Sequence, residues 1–497
     1  MALFAWTAFD LTRKFQDMSS PLPQRNARLF RSLVIGTGLC WAIAFVPVAL
    51  RYQLELYGDG AMFSYAVAVQ DVWAFHWHNI SGRSAVLLFS LWPAETIVGL
   101  TGRPWAGILT YGFLFYIAPL TGLILTWVTD RSSGRILFVY ACASTAMLCP
   151  LIFGFPTEMW FAQAVFWPTL AISHYAKRTF SGAVLVFVAQ LVLAFTHEGA
   201  LVLLFVIVAT VALHGLRDQR FPRAAICLLL VLMLAAASKV IFPPDDYYAG
   251  VLLRAALHFF DLGIFKVEVV LLLLAALIAY GVLFAVMTPA ASGRACIFSL
   301  GIVLALLSIH WLKFDHAVLA SSRYYLRTAL VLGIPVLAVM ATLSAMAEEE
   351  FVVRPLARLR RTLLSPGDRT VCAFAAAFAI VTLIHAVETG KFVIAWTSYR
   401  AAITALATGN AADPSLGDPR FVSSARISAT PGSLAWFSTI PYLSVVLADF
   451  SPNRLVIDPA GNYFWLSCAT ATQNRDADRA VPRDARELVR VYSCLHR

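Results

Sequence analysis

The chain has 497 residues, of which 60% are hydrophobic and 13% charged, with a mean hydropathy of +0.75. Water-soluble domains carry about 25% charged residues, so this composition excludes one. The formal charge of +10 also fails to indicate a nucleic-acid partner, because the arginines stand in short clusters between apolar runs, where they report membrane topology.

Those apolar runs are about 17 to 25 residues long, the length a helix needs to cross the hydrocarbon core. The short alternating segments of a membrane β-barrel are absent. The expected fold class is therefore an all-α polytopic membrane protein of about 11 transmembrane helices. A polar N-terminal stretch with Arg13, Lys14, Arg25 and Arg28 precedes the first apolar segment, and no small-residue cleavage site follows it. The first span is expected to stay as an anchor.

In chain order the expected spans are Phe30 to Leu50, Trp105 to Val128, Ile136 to Phe153, Met159 to Tyr175, Ala183 to Phe195, Ala200 to Gly215, Ala224 to Phe242, Val267 to Met287, Ile297 to Trp311, Thr328 to Met346 and Val371 to Ala386. Ser84 to Leu100 is a further apolar stretch. If it does not span, the later inner loops hold thirteen Lys and Arg residues and the short outer loops four, namely Arg254, Lys313, Arg323 and Arg327. If it does span, the ratio inverts, so the positive-inside rule keeps it out of the count. The N-terminus is then cytoplasmic and the C-terminus extracytoplasmic.

This divides the chain into a membrane module, residues 1–387, and an extracytoplasmic tail, residues 388–497. The first outer loop, residues 51–104, contains Ala61 to His78, which carries aromatics among polar residues like a helix lying in the interface. The tail reads as a small mixed α/β region. Leu455 to Asp458 and Tyr463 to Ser467 flank Pro459-Ala460-Gly461-Asn462 as a candidate hairpin, and Arg483 to Val491 as a short helix. Of the eight cysteines, only Cys468 and Cys494 stand in polar sequence, which makes them the candidates for a disulfide.

Three constellations carry possible chemistry. Asp59 stands in Tyr57-Gly58-Asp59-Gly60 at the head of the first outer loop. Glycine on both sides lets a substrate approach its carboxylate, which suits a general base on a hydroxyl, while a turn aspartate is the competing reading. Thr196-His197-Glu198-Gly199 interrupts a long apolar run, where ionisable groups are costly and usually functional; a solvated interhelical turn is the alternative. The segment Lys313 to Arg327, with Lys313, His316, Arg323, Tyr324 and Arg327, sets cations and tyrosines at the outer surface, as a phosphate head group requires and as an interfacial belt also would. Arg254 is a weaker candidate of the same kind.

Other signals are missing. The chain has no P-loop, dinucleotide fingerprint, zinc-spaced Cys/His pair or G-x-S-x-G elbow. His76-Trp77-His78 has a spacing that suits a metal only on a strand. The Asn79-Ile80-Ser81 triplet matches a glycosylation sequon, weak evidence taken alone.

This layout, an acidic residue near the start of a first outer loop built of two surface helices, about 11 spans and an outer C-terminal portion, resembles the C-type (GT-C) glycosyltransferases, integral membrane enzymes that use polyprenyl-phosphate sugars. The resemblance covers the whole chain as architecture, and as a motif only Tyr57 to Gly60. It implies a sugar transfer to an extracytoplasmic glycan or glycolipid at a bacterial inner membrane. Asp59 would deprotonate the acceptor. Lys313, Arg323, Arg327 and Arg254 would stabilise the lipid phosphate, with His316 and Tyr324 beside them. His197 and Glu198 would orient a sugar, and Trp73, Trp77 and Trp160 would stack on sugar faces. The chain departs from the commonest pattern in lacking a second acidic residue clearly paired with Asp59, unless Glu55 or Asp71 serves, so a divalent metal is possible without a clear ligand set. The alternatives are a transporter or flippase of a lipid-linked or anionic solute, an outer-face glycan ligase or polymerase, and a non-catalytic assembly subunit.

Overall fold

A computed structural model describes residues 22–70, 72, 80–152, 156–214, 218–241, 253, 257, 262–287, 293–315, 323–346, 368–409, 421–427, 434 and 439–457. The helices are α1 Leu22–Tyr52, α2 Asp59–Ala68, α3 Ile80–Val86, α4 Trp92–Thr101, α5 Pro104–Tyr116, α6 Ala118–Thr129, α7 Ile136–Met147, α8 Met159–Tyr175, α9 Phe180–Ala194, α10 Ala200–Ala212, α11 Arg220–Ile241, α12 Glu268–Met287, α13 Gly293–Ile309, α14 Arg323–Ala345, α15 Asp368–Thr408 and α16 Ile440–Leu447. Two short strands, β1 Phe421–Ser423 and β2 Leu455–Ile457, complete the described chain.

The protein is an all-α polytopic membrane protein. Among the described residues seven helices are long and apolar enough to cross a membrane, and the bent pair α5–α6, turning by 40°, is an eighth when taken as one span. Leu, Ile, Val and Phe side chains such as Ile226, Leu229, Ile278, Ile297 and Phe298 stay exposed on these helices, as a surface facing lipid requires. Small residues bring the helices together. A Cβ on Gly38 would lie 2.5 Å from the Cys142 carbonyl oxygen, and one on Gly122 would lie 2.2 Å from that of Ala164. Close backbone approach through glycine is the packing expected where no hydrophobic force drives helix association.

By length and composition, residues 83–101 are one of the seven. Arg83 meets Glu158 beside α8, and the Ala85 N–H donates to the Phe195 carbonyl at 3.0 Å. At the other end of the stretch, Val98 and Val67 together crowd Gly107 near the start of α5. A π-helical stretch over Leu87–Leu91, immediately before Trp92-Pro93, continues α3 into α4 without a break.

The end of the bundle that carries α2 is capped. Helix α2 packs on α16, with the Tyr65 and Tyr442 rings 5.2 Å apart, and Trp105 Nε1 donates to Asp449 Oδ1 at 2.8 Å. Strands β1 and β2 pair in parallel, Val422 opposite Val456, with α16 between them in sequence. The described arm of the expected hairpin pairs on one edge with β1; residues 463–467, Arg483 to Val491, Cys468 and Cys494 lie outside the described residues.

Helix α15 has 41 residues, about 60 Å, or roughly twice the hydrocarbon thickness. It passes without a break through residues 387 and 388, where the sequence divides by hydropathy. Its far half holds the cap: Trp396 Nε1 donates to the Tyr52 carbonyl at 3.1 Å, Arg400 bonds the Gln53 side chain, and the Ala407 carbonyl accepts from the Arg454 N–H at 3.0 Å. Polar residues in its middle find partners. Glu388 accepts from Trp311 Nε1 at 3.0 Å and from Lys391 Nζ at 3.1 Å, and Lys391 also pairs with Asp315.

Candidate functional site

Asp59 opens α2, where a carboxylate also meets the positive end of the helix dipole. The glycines beside it are required by the backbone. Gly58 has φ +63°, a conformation that side-chain-bearing residues avoid, and a Cβ on Gly60 would sit 2.1 Å from the Glu55 carbonyl oxygen and 2.5 Å from Pro156 Cγ. The turn and the presentation of the carboxylate are thus one feature. Across from it, Arg327 projects from the first turns of α14, its Nη2 3.8 Å from Asp59 Oδ2.

A chain of alternating charge continues from this pair. Glu158, immediately before α8, is buried and accepts from Arg83 Nη1 at 2.5 Å, and lies within electrostatic reach of His197 and Arg327. Burial alone would raise its carboxyl, but Arg83 above all, with Arg327 and its own backbone N–H, outweighs that and holds it below the ordinary value. Arg83 Nε also stands 3.8 Å from Glu198 Oε2, and Lys239, in the last turn of α11, lies within reach of Glu198 and Arg83.

His197 bends back between α9 and α10. The Gly199 N–H donates to its Nδ1 at 2.9 Å, so that nitrogen is an acceptor and the ring proton sits on Nε2. Burial, reinforced by Arg83 and Arg327 against the pull of Glu158, pushes its pKa down to about 3. The ring is neutral, and its 3.9 Å approach to Glu198 is not an ion pair.

The structure therefore brings together Asp59, His197, Glu198 and Arg327, separated by up to 268 positions in sequence, and joins to them three residues that the sequence did not mark: Arg83, Glu158 and Lys239. Glu158 flanks an apolar run and looks like a solvated end; Lys239 stands near the end of the Ala224 to Phe242 run, and Arg83 reads as a loop cation. The other candidates are placed differently. Lys313 is exposed on the turn after α13, and the described residues give it no contact with this group. Arg323 and Tyr324 fall on the first turn of α14, but their side chains, like Trp73, Trp77, Arg254, His316 and Asp71, lie outside the described residues. Trp160 is buried against Phe45 and Tyr116 in the core instead of facing a cavity.

Glu55 does not join the charge chain. It is fully buried, lies about 3.1 Å from where a Cβ on Gly112 would stand, and has its pKa pushed up to about 8 by burial, against the pull of its own backbone N–H and of Arg400. It is a neutral acid at pH 7. Among the described residues no group of three or more His, Cys, Asp and Glu is placed to hold a metal ion.

No family model matches the chain, and neither a curated protein nor a solved structure matches it.

Proposed function

We propose that this protein is a membrane glycosyltransferase that moves a sugar from a polyprenyl-phosphate donor to an extracytoplasmic glycan or glycolipid acceptor. The observation that carries the reading is the meeting of Asp59 with Arg327: a carboxylate and a guanidinium from distant segments share one end of the bundle, a base and an anion ligand within one substrate's reach.

Asp59 takes the proton of the acceptor hydroxyl as that oxygen bonds to the anomeric carbon. The bond from that carbon to the phosphate oxygen breaks, and the lipid phosphate leaves with the electron pair. Arg327 neutralises the charge gathering on the leaving oxygens. The single displacement inverts the anomeric centre. Before the donor binds, Arg327 is Asp59's partner; a phosphate that takes Arg327 releases the carboxylate for its work as base.

In this reading the chain spans the membrane about eleven times, with residues 83–101 lying along the outer surface and the Asp59 end extracytoplasmic. The excess of Lys and Arg in the opposite loops supports it. A reporter fused after Ser365 is expected inside and one after Arg497 outside.

The test of the activity is transfer of a labelled sugar from a polyprenyl phosphate in proteoliposomes. A second reading, transport of a lipid-linked solute, draws on α9 and α10, which have 15 and 13 residues and meet at His197 and Glu198, as broken helices do at transporter sites. Translocation of the intact lipid-linked sugar with no transfer would favour it.

A further inference from the structure

We propose that Trp396 and Arg400 of α15 are positioning residues: they hold Gln53 in a left-handed turn, and that turn sets Asp59 where it faces Arg327. The inference deepens the glycosyltransferase reading and rests on it for the role of Asp59 as base.

Helix α1 ends at Tyr52, and Gln53 follows with φ +54° and ψ +48°. That is the left-handed position at which helices usually end on glycine. A residue with a side chain enters it under strain, and stays there where its surroundings over-determine it. Here they do. Trp396 Nε1 donates to the Tyr52 carbonyl at 3.1 Å and lies 3.4 Å from the Gln53 carbonyl oxygen, while Arg400 Nη1 donates to Gln53 Oε1. Backbone and side chain of one strained residue are thus tied to a helix that lies 343 and 347 positions away.

The hold is built on one face of α15. Phe392, Trp396 and Arg400 are spaced by four, which stacks their side chains along that face. All three meet the same stretch, since the Tyr57 ring packs edge-on against Phe392 at 4.8 Å and against Trp396 at 5.4 Å.

From Gln53 the constraint runs to Asp59 through short contacts. The Leu56 N–H donates to the Gln53 carbonyl at 3.2 Å and the Tyr57 N–H to the Leu54 carbonyl at 2.9 Å, closing a tight turn whose Leu54 and Leu56 are fully buried. Gly60 folds back on that turn, where a Cβ would lie 2.1 Å from the Glu55 carbonyl oxygen. Asp59, the residue before it, therefore moves with the turn. Arg327 belongs to α14, so its 3.8 Å approach to Asp59 depends on where α15 holds Gln53.

The competing account is an ordinary helix end against which Trp396 merely packs. Gln53→Gly separates the two, because glycine takes φ +54° without strain. If Trp396 holds a strained residue, glycine at position 53 makes the hold unnecessary.

The experiment is hydrogen–deuterium exchange of the full-length protein in detergent, read over residues 54–61, in Trp396→Phe, Arg400→Met, Arg400→Lys and Trp396→Phe combined with Gln53→Gly. Phenylalanine keeps a ring and loses the indole donor. Exchange over this stretch is expected to quicken about three- to tenfold in Trp396→Phe and in Arg400→Met, the value of one hydrogen bond. It is expected to stay near wild type in Arg400→Lys, which keeps a donor, and to return within about twofold of wild type in the double variant, while α10 exchanges normally throughout. In proteoliposomes that transfer sugar, kcat should follow the same pattern with KM for the donor unchanged. Unchanged exchange in both donor deletions, quickening that glycine does not repair, or wild-type kcat in Trp396→Phe would overturn the proposal. Trp396 is buried, so if its variant does not fold, the contrast between Arg400→Met and Arg400→Lys decides. The exchange readout needs no turnover: absence of sugar transfer by the wild type beside the expected exchange pattern would count against the glycosyltransferase reading and leave the hold on the Asp59 turn standing.

Discussion

Arg327 Nη2 stands 3.8 Å from Asp59 Oδ2, and the same guanidinium lies within electrostatic reach of Glu158. One cation therefore serves two carboxylates. That makes it the group an incoming phosphate can claim without stranding a charge, because Glu158 keeps Arg83 and Asp59 keeps the dipole of α2.

Arg327→Ala is accordingly expected to weaken binding of a polyprenyl phosphate by about 10- to 150-fold, the value of a charge-assisted hydrogen bond. Arg327→Lys is expected to recover part of it, since an ammonium keeps the charge but loses the bidentate fork. Binding of the lipid phosphate to purified protein is the measurement, and wild-type affinity in the alanine variant would reduce Arg327 to a structural partner of Asp59.

The Arg83–Glu158 pair makes a prediction about stability. The Glu158 side chain is 2% exposed and that of Arg83 19%, so removing the arginine strands a buried carboxylate. Arg83→Met is expected to cost about 3–5 kcal/mol, as single deletions from buried pairs do. Arg83→Met combined with Glu158→Gln should cost much less, because no uncompensated charge is left. Thermal unfolding of the four proteins of this cycle in detergent reads the coupling; additive losses would mean that the two side chains do not depend on each other.

Two groups near the site give stability opposite dependences on pH. The His197 pKa is about 3 in the fold and near 6.5 in an unfolded chain. The unfolded state then binds more protons between those values, so the histidine's contribution is complete above about pH 6.5 and is lost as pH falls toward 3. Glu55 titrates near 8 in the fold and near 4.3 when unfolded, so the folded state binds the extra proton and stability is lost as pH rises from about 4.3 to 8. Unfolding midpoints measured from pH 4 to 9 should show His197→Gln flattening the acid limb and Glu55→Gln the alkaline one. An acid limb unchanged in His197→Gln would show that the ring is not held neutral.

How much of this was legible in the sequence depended on whether the signal was local. Gly58-Asp59-Gly60 declares itself because both glycines and the acid lie in one turn, and His197-Glu198 because ionisable residues interrupt an apolar run. Arg327 shows as a cation beside a span. Glu158 does not, since its partner Arg83 is 75 residues away and nothing local distinguishes a paired carboxylate from a solvated one. Lys239 imitates a snorkelling lysine for the same reason. The length of α15 was hidden by Glu388 and Lys391, which lower hydropathy; Trp311 and Asp315 satisfy them, and the helix continues. Strand β1 escaped notice because its parallel partner lies beyond α16, outside any hairpin spacing.

The decisive substitution is Asp59→Asn. Asparagine keeps the size of the side chain and much of its turn hydrogen bonding, and Gly58 and Gly60 still supply the backbone shape. The amide loses the ion pair to Arg327, a 3.8 Å contact between side chains 16% and 21% exposed, which is a modest loss for a pair in partial contact with solvent. It also cannot take a proton at neutral pH. Expression and unfolding midpoint are therefore expected to stay close to wild type while sugar transfer falls by at least about a hundredfold, the usual scale for removing a general base. Glu55→Gln should transfer normally at pH 7, because the native group is already protonated there. Transfer by Asp59→Asn at the wild-type rate would show that the carboxylate only shapes the turn, and the glycosyltransferase mechanism would lose its base.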